Sequence, residues 1–123
     1  MRSKAMAFID MRDLAVWERL PGWRGRFYRS ESMTFAYWEF DAGASVHEHE
    51  HPNEEVWNVI EGELEVTIDG AAQRAGPGSA AIIPFNSRHA VRARTAGRAL
   101  VVDHPVRSDA SADLQNAGEH GRF

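Results

Sequence analysis

The sequence contains no cysteine among its 123 residues. Disulfide bonds, thiolate metal ligands and cysteine nucleophiles are therefore excluded, and the composition is compatible with a reducing compartment. No stretch approaches the roughly 20 consecutive apolar residues that a membrane-spanning helix requires. The N-terminal residues reach Asp10 and Asp13 too early for a signal peptide. We therefore expect a cytoplasmic protein with no membrane partner.

An excess of positive charge is also missing. The 14 Lys and Arg residues are outnumbered by 18 Asp and Glu residues, which gives a formal net charge of -4 at pH 7. The basic residues are scattered and form no stripe that would follow a phosphate backbone. A nucleic-acid partner is therefore not expected, and the chain length suits one domain with a real core.

A convincing helical period is absent after residue 21. Short segments rich in β-branched and aromatic residues alternate instead with turn signals, of which Asp69-Gly70 is the clearest because it is typical of a type I′ hairpin. The pattern predicts an all-β sandwich or barrel. The predicted strands are Arg24–Arg29, Met33–Phe40, Glu54–Ile60, Glu63–Ile68, Ala71–Ala75, Ser79–Ile83, His89–Ala93 and Arg98–Asp103.

The segment Met33–Phe40 is apolar on both faces of its predicted strand. Phe35 and Tyr37 project to one side, whereas Trp38 and Phe40 project to the other. A strand of this kind is expected to be covered on both sides. We therefore predict that a partner subunit covers one of them, as in a homodimer.

A further strand carries histidines at alternate positions. His49 and His51 are two residues apart, so they project from the same face of a strand. Glu55 follows after a short break, and His89 arrives from a later turn. Three imidazoles and one carboxylate form a nitrogen and oxygen donor set that divalent transition metals favour. The sequence therefore predicts a metal site.

Two neighbouring residues compete for places in this site. His47 shares the parity of His49 and His51, but three same-face histidines on one strand cannot easily reach a single ion. We therefore place His47 at the wall of the pocket. Glu55 keeps the parity of the face expected to point inward, whereas Glu54 is expected to face solvent.

The spacing of these residues resembles the cupin family. The first cupin motif reads Gly, five residues, His-x-His, three or four residues, Glu, six residues, Gly, and its positions are matched by Gly43, His49, His51, Glu55 and Gly62. The second motif is matched at Gly78, Pro84 and His89. Asn86 and Ala93 stand where that motif carries glycine and asparagine, and Asn86 tolerates the left-handed backbone that glycine would supply.

The resemblance implies a double-sheet jelly-roll barrel over residues 24–105, preceded by an arm at 1–23 and followed by a polar tail at 106–123. It implies that a divalent ion lies inside the barrel, bound by His49, His51, Glu55 and His89, with coordination positions left open. Cupins commonly pair as homodimers. The donor set does not select among zinc, nickel, manganese and iron.

The C-terminal end of the barrel is more weakly similar to small cupins that act on uronates released from pectin and alginate. Asp103, Pro105 and Arg107 match the ending of those proteins, although the aromatic residue expected two positions after the aspartate is absent. Asp103, at the end of the last predicted strand, is the candidate general acid or base, and a strand-end cap is the alternative role. Arg107 is either an anion-binding residue or an exposed arginine.

Together these features predict a metal-dependent enzyme acting on a small carboxylate, sugar acid or enol. The reaction would be isomerase or lyase chemistry, or dioxygenase chemistry if the metal is iron. The predicted substrate pocket consists of His47, Trp57, Phe85 and Arg107, although core packing is the alternative for Trp57. A non-catalytic module that binds a metal or a sugar is the other functional hypothesis.

Overall fold

The computed structural model of the chain describes residues 7–107. Within this range the chain forms ten β-strands and, near its start, the 3-10 helix Met11–Asp13, with no α-helix among the described residues. The strands are β1 Trp17–Leu20, β2 Trp23–Arg29, β3 Thr34–Phe40, β4 Ser45–His49, β5 Glu54–Glu61, β6 Leu64–Ile68, β7 Ala71–Ala75, β8 Ala80–Ile83, β9 His89–Ala93 and β10 Gly97–His104.

The strands form two sheets. Six of them lie in the order β1-β2-β3-β10-β5-β8, and the other four lie in the order β4-β9-β6-β7. All pairs are antiparallel, and the two sheets enclose one hydrophobic core, as in a jelly roll. The predicted all-β fold is confirmed. The strands predicted with bounds agree with the observed ones to within one residue at each end.

The core begins earlier in the chain than the boundary placed at residue 24. Strand β1 pairs with β2, and Trp23 is fully buried. The Trp23 indole packs edge-on against Trp38 and Trp57, with ring centroids 6.0 and 5.8 Å apart. Trp17–Leu20 and Trp23 therefore belong to the sheet, although the sequence places both in the arm. The rest of the predicted tail, residues 108–123, lies outside the described residues.

Two turns adopt the left-handed backbone that their residues favour. Asp69 and Gly70 have φ angles of 48° and 84°, which are the two positive values that a type I′ hairpin between β6 and β7 requires. Asn86 has a φ of 60°, in the turn that leads into β9. Asparagine tolerates this conformation because its short polar side chain bonds locally, so the replacement of the motif glycine leaves the turn intact.

The inner face of the six-stranded sheet is divided into a polar end and an apolar remainder. At the polar end, cross-strand register places Thr34 beside Asp103, Asp103 beside Glu55, and Glu55 beside Ile83. The adjacent inward row consists of apolar residues, namely Phe27, Ala36, Val101, Trp57 and Ala81. Because the side-chain period of a strand is two, this register alone brings the polar residues together inside the barrel.

Candidate metal centre

His49 and His89 face each other across neighbouring strands. They are paired residues of β4 and β9, and their ring centroids are 4.2 Å apart. Directly opposite residues of an antiparallel pair have Cβ atoms about 5 Å apart, which is close enough for two imidazoles to share one ion. The sheet therefore assembles two donors that are 40 positions apart in the sequence.

His51 joins them from the loop rather than from a strand. The expectation that His49 and His51 share one strand face is wrong, because β4 ends at His49. The carbonyl of His51 accepts a hydrogen bond of 3.0 Å from the backbone N–H of Asn86, which ties this loop to the turn before His89. This arrangement places one nitrogen from each of His49, His51 and His89 within 4.8 Å of the others.

The hydrogen bonds of two of the rings select the nitrogen that is available to a metal. Nδ1 of His49 lies 2.8 Å from the carbonyl oxygen of His47, and Nδ1 of His89 lies 2.9 Å from that of Ser87. A carbonyl only accepts, so each Nδ1 carries the proton and each Nε2 keeps its lone pair. Among the described residues, Nε2 of His89 and both ring nitrogens of His51 make no well-aligned hydrogen bond. These observations fit a divalent metal.

His47 lies outside this group. The pairing register of β4 shifts between Val46 and His49. Because of this irregularity, Val46 and His49 both point inward although one has an even and the other an odd position. The His47 side chain is exposed, and its ring centroid is 5.8 Å from that of His49. His47 contributes to the site through its carbonyl, and the role of its side chain in the pocket wall stays a prediction.

Glu55 lies at the centre of the buried polar groups. Its carboxylate is 1% exposed, with Oε2 3.2 Å from Nε2 of His51 and Oε1 3.4 Å from Nε2 of His89. Burial by itself would raise the pKa of Glu55, but its contacts with His51, His89 and Asp103 hold that pKa well below the ordinary value. Glu55 therefore remains an anion at neutral pH and is available as an oxygen ligand. The neighbouring Glu54 is only half-buried.

Asp103 and Arg107 extend the polar group away from the histidines. The guanidinium of Arg107 is 3.6 Å from Oε2 of Glu55 and 3.6 Å from Oδ2 of Asp103. Both Arg107 and Asp103 are buried, at 9% and 6% exposed. Because this arginine lies inside the barrel rather than on its surface, it stabilises buried negative charge at this end of the polar group.

The two aromatic residues assigned to the pocket occupy different environments. Trp57 is 2% exposed, and its indole N–H donates a hydrogen bond of 2.7 Å to Oε1 of Glu55. It thus both packs in the core and orients the carboxylate. Phe85 is 51% exposed, in the turn between β8 and β9 at the rim of the barrel.

Two buried polar residues next to this group were not predicted from the sequence. Asn53 donates a hydrogen bond of 2.6 Å to the carbonyl of Pro105, which helps to hold the segment that leads to Arg107. Thr34 lies beside Asp103 in the sheet. The parity of β3 would have indicated an inward Thr34, whereas the contact of Asn53 spans 52 positions and left no signal in the sequence.

The histidines differ in their affinity for protons, which predicts a pH dependence of metal binding. Burial acts to lower the pKa of His89, but its contacts with Glu55 and the Ser87 carbonyl outweigh that effect and raise the pKa above 6.5. Burial lowers the pKa of His49. Because the ligand nitrogen must be neutral, metal affinity is expected to be maximal above the pKa of His89 and to fall below it, by up to about tenfold per pH unit for each competing proton.

Calorimetric titration of the metal-free protein with Zn²⁺, in steps from about pH 5 to about pH 8, measures this dependence. His104 is exposed and lies outside the group, so a His104→Ala variant provides the control and should give the same profile. An affinity that does not change over this range would contradict histidine ligation.

The comparisons with known proteins concern the family and the fold. Residues 36–105 match the family profile described as the cupin domain, Cupin_2. An RmlC-like cupin from Shewanella frigidimarina has 23% identity and a TM-score of 0.77, over 83% of this chain and 93% of that chain. KdgF from Halomonas sp. has 23% identity and a TM-score of 0.76, over 83% of this chain and 96% of that chain.

A larger protein also contains this fold. Oxalate decarboxylase from Bacillus subtilis has 21% identity and a TM-score of 0.72, over 79% of this chain but only 29% of that chain. No curated protein matches the sequence. At these identities the structural likeness concerns the fold.

No helix of residues 7–107 is long and apolar enough to span a membrane.

Proposed function

The chain belongs to the cupin family, and we propose that it is a metal-dependent enzyme that performs isomerase or lyase chemistry on a small carboxylate or sugar acid. One observation carries the proposal. Three histidines converge at the polar end of the barrel, where a buried carboxylate and a buried arginine, Asp103 and Arg107, adjoin them. This combination would provide a metal site, a proton carrier and an anion-binding group side by side inside the barrel.

The proposed metal ligands are His49, His51, Glu55 and His89. A divalent ion bound there would polarise a substrate oxygen and stabilise negative charge that develops on it. The Nδ1–H bonds of His49 and His89 hold both rings in the orientation this requires. Mn(II) centres in the Bacillus subtilis oxalate decarboxylase of similar fold are consistent with such a site.

Asp103 is the proposed proton carrier. Its carboxyl group is buried beside Glu55 and Arg107, so Oδ2 is held in one orientation by the guanidinium. From there it would remove a proton from a substrate carbon or hydroxyl and return it to another atom of the same molecule. Proton transfers of this kind convert enols to ketones or eliminate a group next to a carboxylate.

The charges of this buried polar group support an anionic substrate. With both carboxyl groups ionised, Glu55, Asp103 and Arg107 together carry one negative charge, and a divalent ion turns this into one positive charge. Burying an unpaired charge is costly, so a substrate with one carboxylate completes the balance. The same count disfavours a neutral sugar.

The proposal predicts the effect of Asp103→Asn. We expect turnover to fall by about 10²- to 10⁴-fold, which is the usual contribution of a general acid or base, whereas the metal content stays unchanged. Incorporation of deuterium from D₂O into a panel of keto and hydroxy acids, followed by ¹H NMR, detects proton transfer to carbon in whichever acid the enzyme accepts. The exposed Asp41, replaced by asparagine, provides the matched control.

Other results of the same experiment would favour other functions. Metal-dependent oxygen consumption without deuterium incorporation would indicate a dioxygenase and overturn the proposed reaction class. Stoichiometric metal with neither signal would favour the non-catalytic binding module.

We also propose that the protein is a homodimer formed through the outer face of the six-stranded sheet. Register aligns five apolar side chains across this face, namely Tyr28, Phe35, Val102, Val56 and Ile82. At one end of the row the rings of Tyr28 and Phe35 are stacked, with centroids 4.7 Å apart. At the other end Ile82 is 60% exposed.

The charges on the same face favour a second copy as the partner. A parallel outer row alternates in sign, in the order Arg24, Glu39, Arg98 and Glu61. A two-fold axis parallel to the strands, placed between β3 and β10, reverses this order, so each charge meets its opposite and Val102 meets the partner's Phe35. Self-complementarity of this kind is what an isologous interface requires.

A charged residue at the centre of that row is therefore expected to separate the subunits. Val102→Glu should change the mass measured by sedimentation from that of a dimer to that of a monomer, without a change in the circular dichroism of the strands. Gln73→Glu, at an exposed position on the other sheet, should remain dimeric. A wild-type protein that is monomeric at micromolar concentration would contradict the interface.

A further inference from the structure

Thr34 is a buried polar residue for which the fold supplies no partner. It is 5% exposed, and among residues 7–107 no group makes a hydrogen bond with its Oγ1. Buried hydroxyl groups are almost always paired, because an unpaired one loses its hydrogen bonds to water without replacement. The Thr34 hydroxyl is therefore a candidate to bond with a ligand.

The position of Thr34 relates this hydroxyl to the proposed active site. Thr34 and Asp103 are paired residues of β3 and β10, and Asp103 in turn is paired with Glu55 of β5. All three are inward-facing residues of one row, and directly opposite Cβ atoms lie about 5 Å apart. Thr34 thus lies next to Asp103, on the side away from Glu55 and the histidines.

A structural role does not account for the hydroxyl. The next inward residue on β3 is Ala36, which packs against the core, so an apolar side chain suits this face. Valine has the same branched shape as threonine and an equal preference for strands. The oxygen of Thr34 is thus the one part of the side chain that packing does not explain.

We propose that Thr34 binds a hydroxyl group of the substrate and thereby selects hydroxylated acids over their deoxygenated counterparts. The inference rests on the proposed function, since it assumes that the acid group lies toward the histidines and Arg107. Its hydroxyl both donates and accepts, so it pairs with a substrate hydroxyl in either sense. A site built to bind a hydroxyl discriminates strongly against a ligand that lacks one.

The width of the sheet bounds the size of the ligand. Thr34 and Glu55 are two strand spacings apart, which is about 10 Å between their backbones. A two-carbon acid bound near Glu55 cannot reach the Thr34 hydroxyl across this distance. A chain of several carbons, with its carboxylate at one end and hydroxyl groups toward the other, would span this distance past Asp103.

The test compares two six-carbon acids, D-gluconate and hexanoate, by calorimetry on Mn²⁺-loaded protein. Thr34→Val is expected to weaken gluconate binding by about tenfold, which corresponds to about 1.4 kcal/mol, and to leave hexanoate binding unchanged. Thr34→Ser keeps the hydroxyl and should bind gluconate as the wild type does. The melting temperature of metal-free Thr34→Val should equal or exceed that of the wild type, because the substitution removes an unpaired buried oxygen.

Three results would overturn the assignment. They are an unchanged gluconate affinity in Thr34→Val, an equal loss for both acids, and a wild-type protein that binds gluconate no better than hexanoate. A marked fall in the melting temperature of Thr34→Val would show that the hydroxyl is structural. If none of Mn²⁺, Zn²⁺, Ni²⁺ and Fe²⁺ binds, the proposed function fails, and the same titrations on metal-free protein decide separately on Thr34.

Discussion

Replacing His89 with alanine is expected to abolish stoichiometric metal binding. His89 is 1% exposed, faces His49 across the β4–β9 pair, and has its Nδ1 bonded to the Ser87 carbonyl. Loss of a residue that only orients a ligand costs about 10- to 100-fold in metal affinity, so loss of the ligand itself should exceed about 100-fold. Metal content after dialysis against a metal buffer, measured by mass spectrometry, checks this expectation.

A thermal shift provides a second measure of the same effect. A metal that binds only the folded state stabilises it by about 2.7 kcal/mol at a concentration of 100 times its dissociation constant. Added metal should therefore raise the melting temperature of the wild type but not that of His89→Ala. The exposed His104, replaced by alanine, should behave like the wild type. Equal metal content in His89→Ala and the wild type would remove His89 from the site.

Replacing Arg107 with methionine is expected to destabilise the metal-free protein by about 3 to 5 kcal/mol at neutral pH. Such a cost is typical when one partner of a buried ionic group is removed. The side chains of Glu55 and Asp103 are 1% and 8% exposed, so without the guanidinium two carboxylates share one buried space. Unfolding by urea in the presence of a chelator measures the difference.

The charge argument itself is tested by a compensating change. Arg107→Met combined with Asp103→Asn removes one charge of each sign, and we expect the double variant to recover at least half of the lost stability. Arg74 is an exposed arginine with a side chain 62% exposed, so Arg74→Met should change stability by less than about 0.5 kcal/mol. A single variant Arg107→Met as stable as the wild type would show that the guanidinium is not the buried counter-ion.

Much of the fold is visible in the sequence because local chemistry determines it. Alternation in residues 64–68 indicates a half-buried strand, and Asp69-Gly70 specifies the tight hairpin that follows. The predicted and observed strand bounds agree because turn residues end a strand whichever strand it pairs with. Where local preference is weak, as at Trp17–Leu20, the sequence placed the segment in the arm, and only its pairing with β2 shows that it is a strand.

The metal site, like the fold, was predicted from the sequence only in part. The residue types at positions 49, 51, 55 and 89 predict a metal because imidazole and carboxylate are its ligands, and the structure brings the three histidines together. The alternation of side chains along a strand, however, predicted that His47 and His49 lie on the same face. The register shift in β4 places them on different faces. A strand irregularity depends on the partner strand, so the pattern of one segment does not reveal it.

The sequence by itself therefore determined the family, the strands and the kinds of side chain available for the chemistry. Only the tertiary structure decided that Arg107 is buried between Glu55 and Asp103, and that the hydroxyl of Thr34 lies next to them without a partner. The physical reason is that burial and pairing are properties of the register between strands distant in the chain. Composition and periodicity report on one strand at a time, whereas the buried polar group is formed by the facing sides of two sheets.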